Sequence, residues 1–368
     1  MGAVVTGAAI VRVPNQRDCY AGLELYAPDR AAASIDLSDN TNRWGMPPAA
    51  ERAMRELAAD SCVRYPEIYA ASLKEALAVY TGVSPSMIVT GCGSDDVLDS
   101  AIRAFADPGD RIAIPEPSFA MIPLFARMNG ATAVMVPLAE DYAVDAERML
   151  RGDPGVIYVC SPNNPTGTVA GRAGVEALAD GARGVVIVDE AYAEFAGADL
   201  LDLARTRPNV LVVRTMSKAF GLAGLRVGYA VGAPGLVQEV EKSRGPYKVS
   251  AVAAAAAIGA LRDDLPWVRE HVALAVANRE RLARELAHRR IPSLPSSANF
   301  VLAPLANADE IALDMRRLGV AVRPFTNLRG ISPGLRATGG SALRISVGPW
   351  PEIEATLVAL DRARASCA

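Results

Sequence analysis

A chain of 368 residues, 51% hydrophobic and 21% charged, has the apolar content for two domains of ordinary size and is not disordered by composition. Its 38 basic and 41 acidic residues leave a net charge of −3, and aromatics are 5%. That excludes a basic field for nucleic acid or anionic membrane and a stacking platform for single strands. The five cysteines (Cys19, Cys62, Cys92, Cys160, Cys367) are scattered without a C-x-x-C pair, and His271 and His288 cannot form a zinc site by the usual spacings. A reducing cytoplasm is the expected compartment.

The opening stretch MGAVVTGAAIVRV has no basic n-region and no cleavage pattern, so a secretory signal is not expected. Gly2 and Thr6 fit a myristoylation pattern, read here as coincidence in a segment rich in small residues. Residues 1–47 read as an irregular arm with a short strand at Ser34–Leu37. Helical patterns follow over Ala49–Ala59, entered through Pro47-Pro48, and over Ser72–Tyr80. From Met87 strands and helices alternate: strands at Met87–Thr90, Arg111–Ile114, Thr132–Val136, Gly155–Cys160, Gly184–Val188, Val210–Val213 and Val227–Val231, with helices at Val97–Phe105, Phe119–Met128 and Val175–Asp180. Near-continuous apolar strands in that alternation predict an α/β fold with a mainly parallel sheet covered on both faces. Ligands of such sheets gather at the carboxyl ends of the strands. The region 263–368 reads as a second, smaller α/β unit: a long helix Val268–His288, strands at Phe300–Ala303, Val320–Val322 and Leu343–Val347, and a closing helix Pro351–Ala363. The longest uncharged apolar run, Val249–Leu261, is too short to span a bilayer.

The most informative stretch runs from Arg214 to Tyr229. Lys218 stands among Met216, Ala219 and Phe220, and an apolar setting lowers the pKa of an amine that must condense with a carbonyl. Thr215, Ser217 and Arg226 supply two hydroxyls and a guanidinium fork suited to one phosphate. A carbonyl cofactor bearing a phosphate would satisfy all of them, which suggests pyridoxal 5′-phosphate. Alone, this stretch is equally compatible with an ordinary surface lysine, so its companions matter. Asp189 ends a buried strand, where a carboxylate is costly unless paired with a cation such as a protonated pyridine nitrogen; Tyr192 follows three residues on. A helix N-cap with a core tyrosine is the competing explanation. Cys160–Gly167 forms a turn dense in restrictive residues, with Asn164 able to present an amide. Gly91–Asp96 joins a strand to a helix, so the amides of Gly93, Ser94 and Asp95 can cradle a phosphate, or Ser94 or Asp95 simply caps the helix. The stretch is not a G-x-G-x-x-G dinucleotide fingerprint. Phe119 is placed to stack on a planar group or to join the core. Arg344, inside a strand, calls for an anion, either a substrate carboxylate or an internal partner, and Arg323 raises the same question. No metal is expected.

Together these residues resemble the fold-type I PLP-dependent aminotransferases of classes I and II, with histidinol-phosphate aminotransferase and its relatives the nearest subgroup in pattern. The motifs YAP, RYPE, GCGSDD, PEPSF, CSPNNPTG, VDEAYAEF, RTMSKAFGLAGLRVGY and LRISVG stand in the family's order, from Tyr26 to Pro349. The resemblance implies PLP-dependent transferase fold type I: an arm over 1–47 that joins the small domain, a large PLP-binding domain over 48–262 with a mainly parallel seven-stranded sheet, and a smaller C-terminal α/β domain over 263–368. It implies that Lys218 holds the cofactor covalently, that Asp189 pairs with the pyridine nitrogen, and that Tyr192 and Asn164 donate to the ring oxygen. Ser94, Asp95, Thr215, Ser217 and Arg226 would hold the phosphate, Tyr65 would reach the neighbouring subunit's cofactor in a homodimer, and Phe119 would stack on the ring. Arg344 would bind the substrate's anionic group, with Tyr26, Asn42 and Arg323 lining the pocket. The implied activity transfers an amino group between a donor such as L-histidinol phosphate and 2-oxoglutarate. Alternatives are an aromatic amino acid aminotransferase, a PLP decarboxylase of a phosphorylated amino acid and a non-catalytic PLP-binding regulator. The chain departs from the pattern in the arm, where Asn40-Thr-Asn-Arg43 stands for the family's Asn-Glu-Asn-Pro, at Phe119, where tyrosine is usual, and at Lys248, where asparagine is common.

Overall fold

The computed structural model of the chain describes residues 15–25, 33–329 and 332–366. Among them are twelve strands: β1 (Ile35–Asp36), β2 (Ile88–Cys92), β3 (Arg111–Glu116), β4 (Thr132–Pro137), β5 (Val156–Cys160), β6 (Val185–Asp189), β7 (Val210–Thr215), β8 (Val227–Gly232), β9 (Phe300–Pro304), β10 (Val320–Ala321), β11 (Arg323–Phe325) and β12 (Ala342–Ser346). Seven form one sheet in the order β2-β8-β7-β6-β5-β3-β4. Only β8 in it runs antiparallel to its neighbours. The expected fold class is therefore the observed one.

The apolar runs of β5, β6 and β7 bury both faces. Val186, Val188, Val210 and Val212 enter one core, whereas Val185, Ile187, Leu211 and Val213 enter the core on the opposite face. Alternate side chains of a strand point to opposite faces, so a sheet covered twice demands apolar residues at every position. Burying each such valine contributes about 1.5–3 kcal/mol.

The helix Val97–Phe105 of the sequence reading begins earlier, at Gly93, directly after β2. Further helices span Pro234–Lys242, Ala251–Asp263 and Ala308–Arg317. The strand expected over Val320–Val322 divides in two: β10 pairs in parallel with β1 of the arm, and β11 joins the antiparallel sheet β11-β12-β9. Proline at position 324 removes a ladder donor but is tolerated on this edge strand.

One close approach places the site. On β8, a Cβ at Gly228 would lie 2.2 Å from the Ser94 amide nitrogen and 2.3 Å from the Gly93 carbonyl carbon. The start of the helix Gly93–Phe105 thus rests on bare backbone, and its first amides stand level with the ends of the central strands. Gly228→Ala is expected to destabilise the protein by about 1–3 kcal/mol, because backbone, not a flexible side chain, must give way. Denaturant midpoints of the two proteins test this, and equal midpoints would show that the contact is slack.

Candidate active site

The carboxyl ends of β5, β6 and β7 open on a cleft of about 230 Å³. Lys218 enters it from the turn that follows β7. In that turn Met216, Ala219, Phe220 and Leu222 are all buried in the core, whereas Lys218 is half-buried and lines the cleft. Its Nζ donates to the Asp39 carbonyl oxygen at 3.0 Å and lies 5.8 Å from the centre of the Tyr192 ring. Burial first, and the Arg344 charge second, push the amine down to about 8. The chain has four lysines. Lys74, Lys242 and Lys248 each hold a carboxylate, whereas Lys218 has a neutral carbonyl.

Asp189, the last residue of β6, is only 4% exposed. Its Oδ2 accepts from the Tyr158 hydroxyl at 2.8 Å and its Oδ1 from the Ala191 amide at 3.1 Å. Burial raises the carboxyl to about 6, opposed by those two hydrogen bonds. Among the described residues no cation lies within ion-pair distance of it, so a buried acid stands ready for a cationic partner. The Tyr192 hydroxyl accepts from Asn40 Nδ2 at 3.0 Å, and its ring packs edge-on to Phe300. Burial holds the Tyr192 phenol well above its usual range.

At the other end of the cleft the helix Gly93–Phe105 begins without a side-chain cap from its N-cap residue Cys92. Asp96, rather than Ser94 or Asp95, reaches back to the Cys92 amide, at 3.0 Å. Ser94 and Asp95 line the cleft instead. Arg226 adopts a left-handed φ of 54°, rare without glycine, and its Nη2 meets Asp95 Oδ2 at 3.1 Å. The buried Thr215 and Ser217 hydroxyls lie 2.9 Å apart beside it. Amides at a helix start, two hydroxyls and a guanidinium converge here as an anion cradle.

The third wall carries two arginines side by side, since β11 and β12 place Arg323 opposite Arg344. Arg344 donates from Nη1 to Asn164 Oδ1 and from Nη2 to the Ser38 carbonyl oxygen, both at 2.6 Å. Its guanidinium lies 5.4 Å from the Phe300 ring centre and 5.8 Å from that of Phe325. Asn164 and Arg344, expected to serve cofactor and substrate separately, are thus hydrogen-bonded to each other. Phe119 is half-buried at the cleft wall.

Twelve residues singled out from the sequence line this cleft: Ser94, Asp95, Phe119, Asn164, Asp189, Tyr192, Thr215, Ser217, Lys218, Arg226, Arg323 and Arg344. Asn42 does not; its side-chain amide donates to the Ala219 carbonyl at 3.0 Å, bracing the lysine turn. Tyr65 is 83% exposed and stacks on Tyr247, with ring centres 5.0 Å apart, outside the cleft. Tyr26 lies outside the described residues. Of the departures from the family pattern, Arg43 binds Glu352 and Lys248 binds Asp96, and neither lines the cleft. The sequence reading missed Asp39, Asn40, Ser118, Cys160 and Phe325 in the lining, and Tyr158 beneath Asp189. Tyr158 sits in an apolar strand where a tyrosine reads as core; the Asp39 carbonyl that meets Lys218 belongs to the backbone and has no side-chain signature.

The model of the family described as aminotransferase class I and II matches residues 32–360. The chain belongs to that family. It is similar to a histidinol-phosphate aminotransferase of Thermoanaerobacter pseudethanolicus, 36% identical over 330 residues that cover 88% of this chain and 93% of the relative. An aromatic amino acid aminotransferase of Nocardia farcinica is 37% identical over 340 residues, 88% of this chain and 92% of that one. Among solved structures, the histidinol-phosphate aminotransferase of Sinorhizobium meliloti in complex with pyridoxal-5′-phosphate superposes with a TM-score of 0.85 at 28% identity, covering 98% of this chain and all of that one.

This aminotransferase is PLP-dependent, and its cleft fits that cofactor on three counts. A depressed amine faces the cleft, a buried acid with no cation at ion-pair distance among the described residues lines it, and a helix start whose N-cap residue lends no side chain closes one end with two hydroxyls and Arg226.

The lysine leaves a signature in the protein without cofactor. Its folded pKa of about 8 lies below the ordinary 10.5, so the unfolded chain binds more protons between those values and stability rises with pH there. The cost of burying the ammonium is full below pH 8 and fades by 10.5. Urea midpoints at pH 7.5 and 10 are expected to show the wild-type apoenzyme gaining on Lys218→Met over that interval; parallel pH profiles would contradict the assignment.

Proposed function

We propose that this aminotransferase takes L-histidinol phosphate as amino donor and 2-oxoglutarate as acceptor, in histidine biosynthesis. The observation that carries this reading is the paired Arg323 and Arg344 on one cleft wall, flanked by Phe325. Two guanidiniums suit a phosphate or carboxylate tail, and the aromatic neighbours suit a ring. Relatives bearing the histidinol-phosphate aminotransferase name, at 36% identity over most of their length, support the same reading.

PLP, when bound, supplies a carbonyl carbon that takes up the amino group and a ring that accepts electrons from the donor's carbon. In this reading the chain does the rest. Lys218 holds the cofactor and, with its amine near 8, is poised to move a proton at the donor's amine-bearing carbon close to neutral pH. Asp189, ionised above about 6, keeps a proton on the ring nitrogen. Tyr192 and Asn164 hold the ring oxygen, and Phe119 covers the ring face. Thr215, Ser217, Arg226 and the Ser94 and Asp95 amides hold the phosphate. Arg344 and Arg323 bind the donor's anionic tail, and the buried setting of Arg344 strengthens that charge.

The reading includes a homodimer. Tyr65, Val63 and Ile68 are 83%, 79% and 60% exposed on one stretch of chain, and Tyr65 stacks on Tyr247. An exposed apolar patch of this kind marks a covered surface, and a second copy that places Tyr65 near its cofactor phosphate would cover it. No helix among the described residues is long and apolar enough to cross a membrane, and a cytoplasmic location is part of the proposal. An aromatic amino acid as donor is the second reading, favoured by Phe119 and Phe325 in the lining and by the Nocardia relative.

A donor panel of histidinol phosphate, Phe, Tyr and Glu, with 2-oxoglutarate as acceptor, separates these. Glutamate formation is expected to be fastest with histidinol phosphate, with kcat/KM about tenfold or more above Phe, a difference of about 1.4 kcal/mol. Phe or Tyr at parity would favour the second reading, and carbon dioxide release would contradict both. Lys218→Ala is expected to abolish turnover; transamination at the wild-type rate in that variant would refute the role of the amine.

A further inference from the structure

We propose that Arg43 and Glu352 form a positioning pair for the active site, pinning the arm so that two of its backbone carbonyls stay in place, one on the Arg344 guanidinium and one on the Lys218 amine whenever that amine is free of the cofactor. This rests on the roles given above to Lys218 and Arg344. Arg43 faces away from the cleft. Its Nε meets Glu352 Oε2 and its Nη2 meets Glu352 Oε1, both at 2.9 Å. Glu352 lies in the first turn of the helix Trp350–Ser366, where a negative charge is favoured by the helix dipole. A two-pronged bond of this kind fixes orientation as well as distance.

The room for the pair is built into the chain. A Cβ at Gly348 would sit 3.0 Å from Arg43 Cβ and Cγ and 3.0 Å from Glu352 Oε2. Any larger residue at 348 would press on both partners at once.

The segment so pinned reaches the site at three points and the turn that carries Lys218 at a fourth. The Ser38 carbonyl accepts from Arg344 at 2.6 Å and the Asp39 carbonyl from Lys218 at 3.0 Å. The Asn40 side chain donates to the Tyr192 hydroxyl, and that of Asn42 to the Ala219 carbonyl, each at 3.0 Å. Upstream, β1 is fastened to β10, and the Asn40 amide to Ser346 Oγ at 2.9 Å. Downstream, the Gly45 carbonyl oxygen lies so close to Gly221 that a Cβ there would be 2.2 Å away. Between these two anchorages Arg43 ties the segment to the C-terminal helix. A backbone carbonyl cannot titrate or change rotamer, and it leaves its partner only when the chain moves. Whatever holds the arm therefore sets the hydrogen bonding of Lys218 and Arg344.

The test uses the holoenzyme with Arg43→Ala, Glu352→Ala and the charge-swapped double variant Arg43→Glu with Glu352→Arg. Two measurements are made: steady-state kinetics with L-histidinol phosphate, and amide hydrogen exchange. Each single variant is expected to raise KM about threefold to fivefold with kcat within about twofold. Exchange over residues 38–46 is expected to quicken about fivefold while peptides of β5, β6 and β7 stay as in the wild type. The swapped pair should recover at least half of both losses on a logarithmic scale. Unchanged exchange and KM in the single variants would overturn the proposal. So would losses that spread through the central sheet and are not recovered by the swap, the mark of an ordinary structural contact. The exchange readout is independent of the donor, so inactivity with histidinol phosphate would refute the donor assignment while leaving this test intact.

Discussion

Withdrawal of two ionisable groups from water into one cleft is the constraint on which the rest of the structure depends. Burial pushes the Lys218 amine down to about 8 and the Asp189 carboxyl up to about 6. The two shifts have a common origin, because a low-dielectric site penalises either charge. The sheet creates that site. Parallel strands point the same way, so β5 and β6 deliver Cys160 and Asp189 side by side to one rim, β7 runs two residues further to Thr215, and the turn after β7 adds Lys218. The arm then covers the rim from the far side with the Ser38 and Asp39 carbonyls.

A buried ion pair braces that rim from below. Glu190 and Arg214 follow and precede two cleft residues, Asp189 and Thr215, on neighbouring strands. Arg214 Nε and Nη2 meet Glu190 Oε2 at 3.0 and 2.7 Å. Burial raises the Glu190 carboxyl to about 7 while Arg214 opposes the rise. Losing Arg214 would strand the buried Glu190 carboxyl at a cost of about 3–5 kcal/mol, whereas Arg214 without Glu190 would keep Asp199 at 2.7 Å. The pair therefore makes the spacing of the β6 and β7 ends hard to change, and with it the spacing of acid and amine.

Much of this was legible in the sequence, for identifiable reasons. Continuous apolar runs such as Val185–Val188 betray a sheet buried on both faces, and groups that act through side chains at strand ends betray the cleft. An asparagine in an arm reads as a ligand-binding residue, and in the folded chain the Asn42 amide donates to the Ala219 backbone. The hydrogen bond between Asn164 and Arg344 joins residues far apart in the chain, so no local pattern announces it. The carbonyls of Ser38 and Asp39 are invisible to any reading of side chains. Arg43 departs from the family pattern in sequence, yet its partner Glu352 lies on the C-terminal helix, a contact that only the folded chain defines.

The central claim is that one amine, made nucleophilic by burial, carries the cofactor. The chain offers four candidates, Lys74, Lys218, Lys242 and Lys248, and three of them are in ion-pair contact with carboxylates. Borohydride reduction of the holoenzyme followed by peptide mapping tests the claim directly. A pyridoxyl group fixed on the Lys218 peptide alone is the predicted result. Labelling of any other lysine, or none at all in protein that retains activity, would contradict it.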